Sequence, residues 1–280
     1  MSSTKIGVSL SPQKSKFGPI LFAGDLERGL EHAHQLGYNG VEISLLDSNL
    51  IDKKPLIRKL EDLGLQVFAI ATGQTYYTDG YSLYHSDSEK RKIAVERVKG
   101  HIDLSADLKA HVILGGIRGT IETAELKNFD SLMKKGREAI EECTEYAECK
   151  EVILLLEPVN RYETNIVNTV GEALHLIKQI GSKNLKVLPD TFHMNIEEPS
   201  ITESIKYTGS KLGYIHFADS NRWAPGLGHV DFRSILSALK KIGYGGPIGV
   251  EILPKPDDLT AAQKAIQFIR SLCGEAQHES

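Results

Sequence analysis

The chain has little cysteine, and its arrangement suits neither cross-linking nor zinc binding. Three of the 280 residues are cysteine, an odd number. Cys143 and Cys149 lie six residues apart on one predicted helix, a spacing that fits neither a CxxC motif nor a zinc knuckle. We therefore expect no disulfide framework, and we interpret the cysteines as small buried or half-buried thiols. Free thiols are typical of proteins in a reducing compartment, which predicts a cytoplasmic location.

Long apolar runs and a strong net charge are also missing. No run of about 18 apolar residues occurs, so no transmembrane helix is expected. The first residues enter a strand-like pattern without the apolar stretch of a signal peptide. The 33 lysine and arginine residues against 37 aspartate and glutamate residues leave a net charge of −4, which gives no general attraction to nucleic acid or anionic lipid. We expect neither a membrane nor a nucleic acid as a partner.

The chain does contain one alternation repeated eight times, in which short β-rich runs are followed by segments of helical period. Most of the runs are continuously apolar, as in parallel strands covered by helices on both faces. The predicted strands are Lys5–Leu10, Gly40–Leu46, Gln66–Thr72, His111–Ile117, Glu151–Glu157, Lys186–Asp190, Tyr214–Ala218 and Ile248–Ile252. The predicted helices are Asp25–Leu36, Lys53–Leu63, Ser88–Leu108, Ala124–Ala147, Val170–Ile180, Ile201–Tyr207, Phe232–Ile242 and Thr260–Leu272.

Eight such units predict an α/β fold, a single (β/α)8 TIM barrel that spans residues 1–280. The competing architecture is a doubly wound open sheet. That sheet would be favoured by a GxGxxG phosphate loop after the first strand, and the motif is absent there. Gly37, Gly64 and Gly181 stand where predicted helices end, at positions that favour a positive φ.

The last four predicted strands carry polar residues that form a candidate site. Strands five and six end in Glu157 and Asp190, while strands seven and eight carry His216 and Glu251. Catalytic groups in such barrels lie at the carboxyl ends of strands, so we expect the four side chains to face one mouth. Three carboxylates this close repel one another, so the group needs either a cation or a protonated carboxyl. A divalent metal is the simplest solution, and three oxygen ligands plus an imidazole suit Mn²⁺, Mg²⁺ or Co²⁺ better than a structural Zn²⁺.

Two motifs around these carboxylates carry a family resemblance. The chain reads EPVNRYETN from Glu157 to Asn165 and DTFHMNIEE from Asp190 to Glu198. Both stretches resemble the ketose 3-epimerase family, typified by D-tagatose and D-psicose 3-epimerases, within the xylose-isomerase-like TIM barrel superfamily of sugar phosphate isomerases and epimerases. The resemblance implies epimerisation of a ketose or ketose derivative at C3 through a cis-enediolate. It also implies a homo-oligomer, either a dimer or a tetramer.

The resemblance further implies roles for individual residues. The four residues of the candidate site would bind one divalent ion, with Mn²⁺ the first choice. Glu157 and Glu251 would double as the acid/base pair. His193 and Arg222 would hold the substrate oxygen at C2, and Glu163 would support the substrate or His193.

Other functions compatible with this site stay open. The main alternative is an aldose–ketose isomerase, of the sugar phosphate or hydroxypyruvate type, because it would use the same carboxylates. An endonuclease IV-like phosphodiesterase is less favoured, since it would carry a larger histidine-rich cluster of several metals and a basic groove. A non-catalytic sugar-binding barrel is also less favoured. Residues 223–229 and 252–256 depart from the pattern of enzymes acting on free ketohexoses, so a free ketose, a sugar phosphate and a keto-glycoside all remain candidate substrates.

For several residues near the predicted mouth, the sequence predicts the local structure but no single function. His193 is expected in a polar loop after strand six, and Pro189 is expected to interrupt the strand and aim Asp190. Four further residues have no assigned role, because contact with the substrate and packing of a loop both explain them: Tyr76, Tyr77, Arg118 and His229.

Overall fold

The computed structural model describes residues 4–15 and 18–275, in which eight parallel strands form a cylinder. The strands are β1 (Ile6–Leu10), β2 (Gly40–Ser44), β3 (Gln66–Ala71), β4 (His111–Leu114), β5 (Leu154–Leu156), β6 (Leu185–Val187), β7 (Ile215–Phe217) and β8 (Ile248–Val250). Their order in the sheet is β6-β5-β4-β3-β2-β1-β8-β7. The two outer strands meet through isolated bridges, Val187 with Leu212 and Asp190 with His216. The fold therefore confirms the predicted (β/α)8 barrel.

Ten α-helices in this part of the chain surround the sheet or border its mouth. They are α1 (Leu26–Leu36), α2 (Lys53–Leu63), α3 (Gln74–Asp79), α4 (Ser88–Leu108), α5 (Phe129–Cys149), α6 (Val170–Ile180), α7 (Thr191–Glu197), α8 (Ile201–Thr208), α9 (Phe232–Lys241) and α10 (Asp258–Glu275). Gly37, Gly64 and Gly181 follow the ends of α1, α2 and α6 with φ values of 81°, 62° and 78°, which confirms the predicted left-handed ends.

Two short helices differ from the sequence prediction. Neither α3 nor α7 is long enough to show the apolar periodicity on which the prediction of helices relied. The expectation that His193 lies in a loop is wrong, because His193 belongs to α7. Asp190 begins this helix, since its Oδ1 atom accepts a hydrogen bond from the Phe192 amide at 2.7 Å. A carboxylate of the candidate site therefore also acts as a helix N-cap.

The strand before α7 is shorter than predicted. β6 ends at Val187, and the residues up to Asp190 leave the regular ladder. Pro189 has no N–H to donate, but its carbonyl accepts a hydrogen bond from the His216 amide at 3.0 Å. The chain thus remains connected to β7 at the level of Asp190, where the candidate site begins.

The interior of the barrel is filled below the mouth. Phe68 and Tyr214 pack there with apolar residues of β3, β4 and β5. A Cβ atom on Gly40 would lie 2.9 Å from the Phe68 ring, and one on Gly7 would lie 2.6 Å from it. Glycine at these two positions makes room for the ring. This packing closes the interior below the mouth, and the cavity that holds the candidate site lies at the carboxyl-end face of the barrel.

None of the helices in the described part of the chain is both long and apolar enough to cross a membrane. Residues 1–3, where no signal peptide is expected, lie outside the described residues.

Arg118 is a fully buried cation that joins the loops behind the mouth. Its Nε atom donates to the Gly115 carbonyl at 3.1 Å, and Nη1 donates to the carbonyls of Ile166 and Val167 at 2.9 and 3.1 Å. Nη2 donates to the Glu157 carbonyl. Burial lowers the pKa of the guanidinium. Of the two roles left open for Arg118, the contacts favour the packing of loops, because all three guanidinium nitrogens donate to main-chain oxygens.

We predict that Arg118→Met lowers the free energy of unfolding by about 3 kcal/mol, because it leaves several buried carbonyls without a donor. Urea denaturation of the metal-free protein measures the change. Arg137→Met is the matched control: Arg137 pairs with Glu141 on one helix at 3.6 Å and should change the stability by about 0.5 kcal/mol or less. Equal effects of the two substitutions would contradict this account of Arg118.

Candidate active site

The four polar residues at the strand ends come together at the barrel mouth. Glu157 follows β5, Asp190 follows β6, His216 lies within β7 and Glu251 follows β8. Each offers one potential ligand atom, and the four atoms lie within 4.8 Å of one another. We call these residues the four-residue cluster.

Three atoms of this cluster are buried without a hydrogen-bond partner of acceptable geometry: Glu157 Oε1, Asp190 Oδ2 and His216 Nδ1. His216 Nδ1 lies 3.5 Å from Glu157 Oε1 and 3.9 Å from Asp190 Oδ2. Buried polar atoms in folded proteins nearly always have partners. Carboxylate oxygens and an imidazole nitrogen that converge in this way are donors that suit a divalent cation. The residues present therefore fit a metal ion.

Burial and mutual repulsion shape the protonation of the cluster. Burial raises the pKa of Glu157, and it raises the pKa of Asp190 to about 8. Burial alone would lower the pKa of His216, but Glu42, Glu157 and Glu251 together raise it well above its usual value. The cluster thus has a high affinity for positive charge. A divalent cation held by these atoms would take the place of the protons.

Glu42 is a buried residue of this site that the sequence reasoning missed. His216 Nε2 lies 2.7 Å from Glu42 Oε2, and the Ser9 hydroxyl donates to Glu42 Oε1 at 3.1 Å. An ionised carboxylate only accepts hydrogen bonds, so the proton in the contact with Glu42 belongs to Nε2 of His216. The other ring nitrogen, Nδ1, is then directed at the remaining carboxylates. The sequence feature that could have identified Glu42 is its position as the one charged residue in the buried strand β2.

Small residues in the sheet make space for the cluster. A Cβ atom on Gly115 would lie 2.1 Å from Glu157 Oε2, and one on Gly249 would lie 2.8 Å from the His216 ring. Any side chain at these positions would displace one of the potential ligands. The pair Gly115-Gly116 after β4 is thus part of the site, although it contributes no polar side chain to it.

The residues predicted to hold the substrate stand beside the cluster. Arg222 donates from Nη2 to Glu251 Oε2 at 2.7 Å and from Nη1 to Glu163 Oε1 at 2.9 Å. Its guanidinium carbon lies 4.8 Å from the centre of the Phe192 ring. His193 Nε2 is 3.5 Å from Arg222 Nη2. The structure therefore brings Glu163, His193 and Arg222 together around one opening.

The backbone of Arg222 holds an unusual conformation that aims this side chain. Its φ is 60°, in the left-handed region that favours glycine. The Arg222 amide donates to the Asp219 carbonyl, and its own carbonyl accepts from Leu253, each at 2.8 Å. These bonds on both sides stabilise the conformation. The guanidinium consequently points into the mouth rather than into solvent, with the Arg222 residue 7% exposed.

Glu163 forms its ion pair with a distant arginine rather than with Arg161, which is two residues away along the chain. Arg161 pairs with Glu197, with Nη2 and Oε2 2.7 Å apart, and Glu163 pairs with Arg222 instead. The Tyr77 hydroxyl donates to Glu163 Oε2 at 3.4 Å and lines the cavity, whereas Tyr76 lines a neighbouring groove.

His229 lies outside the cavity. Its Nδ1 atom is 3.0 Å from the Ser220 hydroxyl, in an exposed loop. The following Asp231 caps α9 by accepting a hydrogen bond from the Ser234 amide at 3.1 Å. The glycine-rich stretch 226–231 therefore forms a loop that leads into the start of α9, and His229 belongs to this loop.

Comparisons with known proteins match the chain to a barrel family and to relatives named as 3-epimerases. A family model described as xylose isomerase-like TIM barrel matches residues 30–272. The L-ribulose 3-epimerase of Mesorhizobium japonicum is 33% identical over 228 residues, covering 81% of this chain and 75% of the relative. The D-psicose 3-epimerase of Enterocloster bolteae is 30% identical over 275 residues, covering 89% of this chain and 91% of the relative. A solved L-ribulose 3-epimerase structure has a TM-score of 0.81 at 28% identity and covers 99% of this chain and 96% of its own.

We predict that Glu42→Ala weakens Mn²⁺ binding by about 10–100-fold, because His216 loses the acceptor that directs Nδ1 toward the carboxylates. Isothermal titration calorimetry on metal-free protein measures the affinity. Glu42→Gln keeps an oxygen acceptor and should lose less. Glu27→Ala, at a surface pair with Lys59, should bind like the wild type. An unchanged affinity in a folded Glu42→Ala protein would rule out the orienting role.

Proposed function

Because the chain belongs to the xylose isomerase-like TIM barrel family and is an isomerase of the epimerase class, we propose that it epimerises a ketose or ketose derivative at C3 through a cis-enediolate. The family match and the relatives named as 3-epimerases confirm the family resemblance of the two motifs. The observation that carries the reaction is the set of three buried ligand atoms without partners at one point of the mouth. Epimerisation next to a carbonyl needs a strong electrophile at the carbonyl oxygen, because polarising this oxygen weakens the neighbouring C–H bond.

In this proposal, Glu157, Asp190, His216 and Glu251 hold one divalent ion. We assign Mn²⁺ to the site, with Mg²⁺ or Co²⁺ as substitutes, because the donor set is rich in oxygen. When bound, the ion polarises the substrate carbonyl as a Lewis acid and compensates the negative charge that develops on oxygen.

Glu157 and Glu251 are proposed as the acid/base pair. Both line the cavity, whereas Asp190 and His216 are fully buried and do not line it, so Glu157 and Glu251 are the cluster residues placed to reach a substrate carbon. They enter the mouth from β5 and β8, two strands that are not neighbours in the barrel. One carboxylate can then remove the C3 proton while the other returns a proton to the opposite face.

Arg222 and His193 are proposed to bind the substrate oxygen at C2. Burial and the neighbouring Arg222 lower the pKa of His193 well below its usual value, so the imidazole is neutral. Two donors aimed at one oxygen stabilise it most when negative charge grows there. Glu163 holds the Arg222 guanidinium in place through its bond at 2.9 Å.

The charge of the cavity favours a substrate without a phosphate group. Among the described lining residues, Arg222 is the single lysine or arginine, and it already contacts two carboxylates. The remaining lining residues are apolar, neutral polar or acidic. We therefore propose a free ketose as the substrate class, in keeping with the L-ribulose and D-psicose named for the two relatives.

Exchange in D₂O tests the reaction. Mn²⁺-loaded enzyme is incubated with L-ribulose, D-psicose, D-fructose and D-tagatose, and with fructose 6-phosphate as the charged comparison, and the products are analysed by NMR. We expect deuterium at C3 together with the C3 epimer. Deuterium at C1 alone would instead identify an aldose–ketose isomerase. No exchange with any sugar would contradict the proposed reaction.

We predict that Glu157→Gln and Glu251→Gln each lower kcat by at least about 10²–10⁴-fold, because an amide can neither remove nor return the proton. Steady-state assays are combined with measurement of bound metal, so that loss of the ion is told apart from loss of the acid or base. Glu203→Gln on the exposed face of α8 serves as the control and should keep full activity. A metal-loaded variant at either position that turns over normally would remove that glutamate from the mechanism.

A further inference from the structure

The orientation of the Asn160 amide is determined by its neighbours. Its Oδ1 atom accepts a hydrogen bond from the Tyr162 amide at 2.9 Å. Its Nδ2 atom donates to Glu163 Oε1 at 2.9 Å. A backbone N–H only donates and a carboxylate only accepts. The Tyr162 N–H therefore identifies the amide oxygen of Asn160, and the Glu163 carboxylate identifies the amide nitrogen.

The second hydrogen of the Asn160 amide meets His193. Nδ2 lies 2.8 Å from His193 Nδ1, and the contact is buried. The backbone N–H of Asn160 points at the same ring atom at 3.4 Å. A proton on His193 Nδ1 would face two N–H donors, so this nitrogen must accept. In a neutral imidazole the ring proton then resides on Nε2.

His193 Nε2 is the ring nitrogen that faces the cluster. It lies 3.9 Å from Asp190 Oδ2, an acceptor, and 3.5 Å from Arg222 Nη2. The contact with Arg222 does not require an acceptor at Nε2, because Nη2 has its short bond to Glu251 at 2.7 Å. His193 and Arg222 both line the cavity, and Nε2 lies 3.5 Å from Nη2. This separation is short enough for one substrate oxygen to accept a hydrogen bond from each nitrogen.

We propose that Asn160 is a positioning residue that holds His193 in the tautomer with its proton on Nε2. Its consequence for catalysis rests on the proposed function. A substrate oxygen between His193 and Arg222 receives two hydrogen bonds, and His193 has no lone pair on that side with which to remove a proton. Glu157 and Glu251 then remain as the groups that remove the proton from the carbon atom and return it.

Asn160→Asp tests the inference because it replaces the NH₂ donor by a carboxylate oxygen of nearly the same shape. An acceptor opposite Nδ1 draws the ring proton to that nitrogen. We expect wild-type His193 to show the Nε2–H tautomer and Asn160→Asp to show a protonated Nδ1. The measurement is a long-range ¹H–¹⁵N NMR spectrum of histidine-labelled enzyme with Mg²⁺, which is diamagnetic. His193→Gln identifies the relevant signals among those of the 10 histidines.

Kinetics provide a second readout. At saturating ketose, kcat of Asn160→Asp should fall by about 10²–10³-fold, the usual loss for one donor to a developing oxyanion, with the content of bound metal unchanged. Asn160→Ala removes the donor without adding an acceptor and should leave mixed tautomers with a smaller fall. Asn165→Asp is the matched control: it lies in the same loop, bonds to the Ile121 backbone and does not contact His193.

Specific outcomes decide the inference. A wild-type spectrum with the proton on Nδ1 would overturn it, and this result needs no variant to fold. An unchanged tautomer in a folded Asn160→Asp protein would also overturn it. The expected tautomer in an enzyme that exchanges no ketose proton would support the inference while refuting the proposed function, so the two failures are distinguishable.

Discussion

The barrel closes at the same place where its buried charges meet. β6 and β7 share no continuous ladder, and the seam between them includes the bridge from Asp190 to His216 and the bond from the His216 amide to the Pro189 carbonyl. Carboxylates this close to one another cannot all stay ionised without positive charge nearby, because mutual repulsion and desolvation both favour protonation. The seam of the cylinder is therefore also the place where a bound cation would relieve the repulsion between the carboxylates. The other residues of the mouth are arranged around this position.

The two imidazoles at the mouth are oriented in opposite ways by residues that stand behind them. His216 turns Nε2 away from the cavity to Glu42, which leaves Nδ1 facing the carboxylates as the nitrogen that would give up its proton to a cation. His193 turns Nδ1 to Asn160 and presents Nε2 to the opening. The same side chain thus provides a ligand lone pair in one case and a hydrogen-bond donor in the other. The difference comes from an acceptor behind one ring and a donor behind the other.

Much of the site was predictable because barrel topology converts sequence distance into position. Glu157, Asp190, His216 and Glu251 are spaced by about one strand–helix unit, and each unit returns the chain to the same end of the sheet. Partners joined across the barrel were not predictable in this way. Glu42 and His216 are 174 residues apart, and no periodic pattern connects them. Nothing in the sequence around Arg118 indicated that its guanidinium would donate to four main-chain oxygens rather than to a ligand.

The sequence by itself determined the barrel, the ends of three helices and the group of side chains that would face its mouth, because these follow from local periodicity and from residues with few allowed conformations. Tertiary structure alone decided which partner each charge takes. Glu163 has an arginine two residues away, yet it pairs with Arg222, which lies 59 positions further along the chain. Tertiary structure also decided that Asp190 caps the N-terminus of α7. Charge pairing depends on distances of a few ångströms and on burial, and both are set only when the strands close into a cylinder.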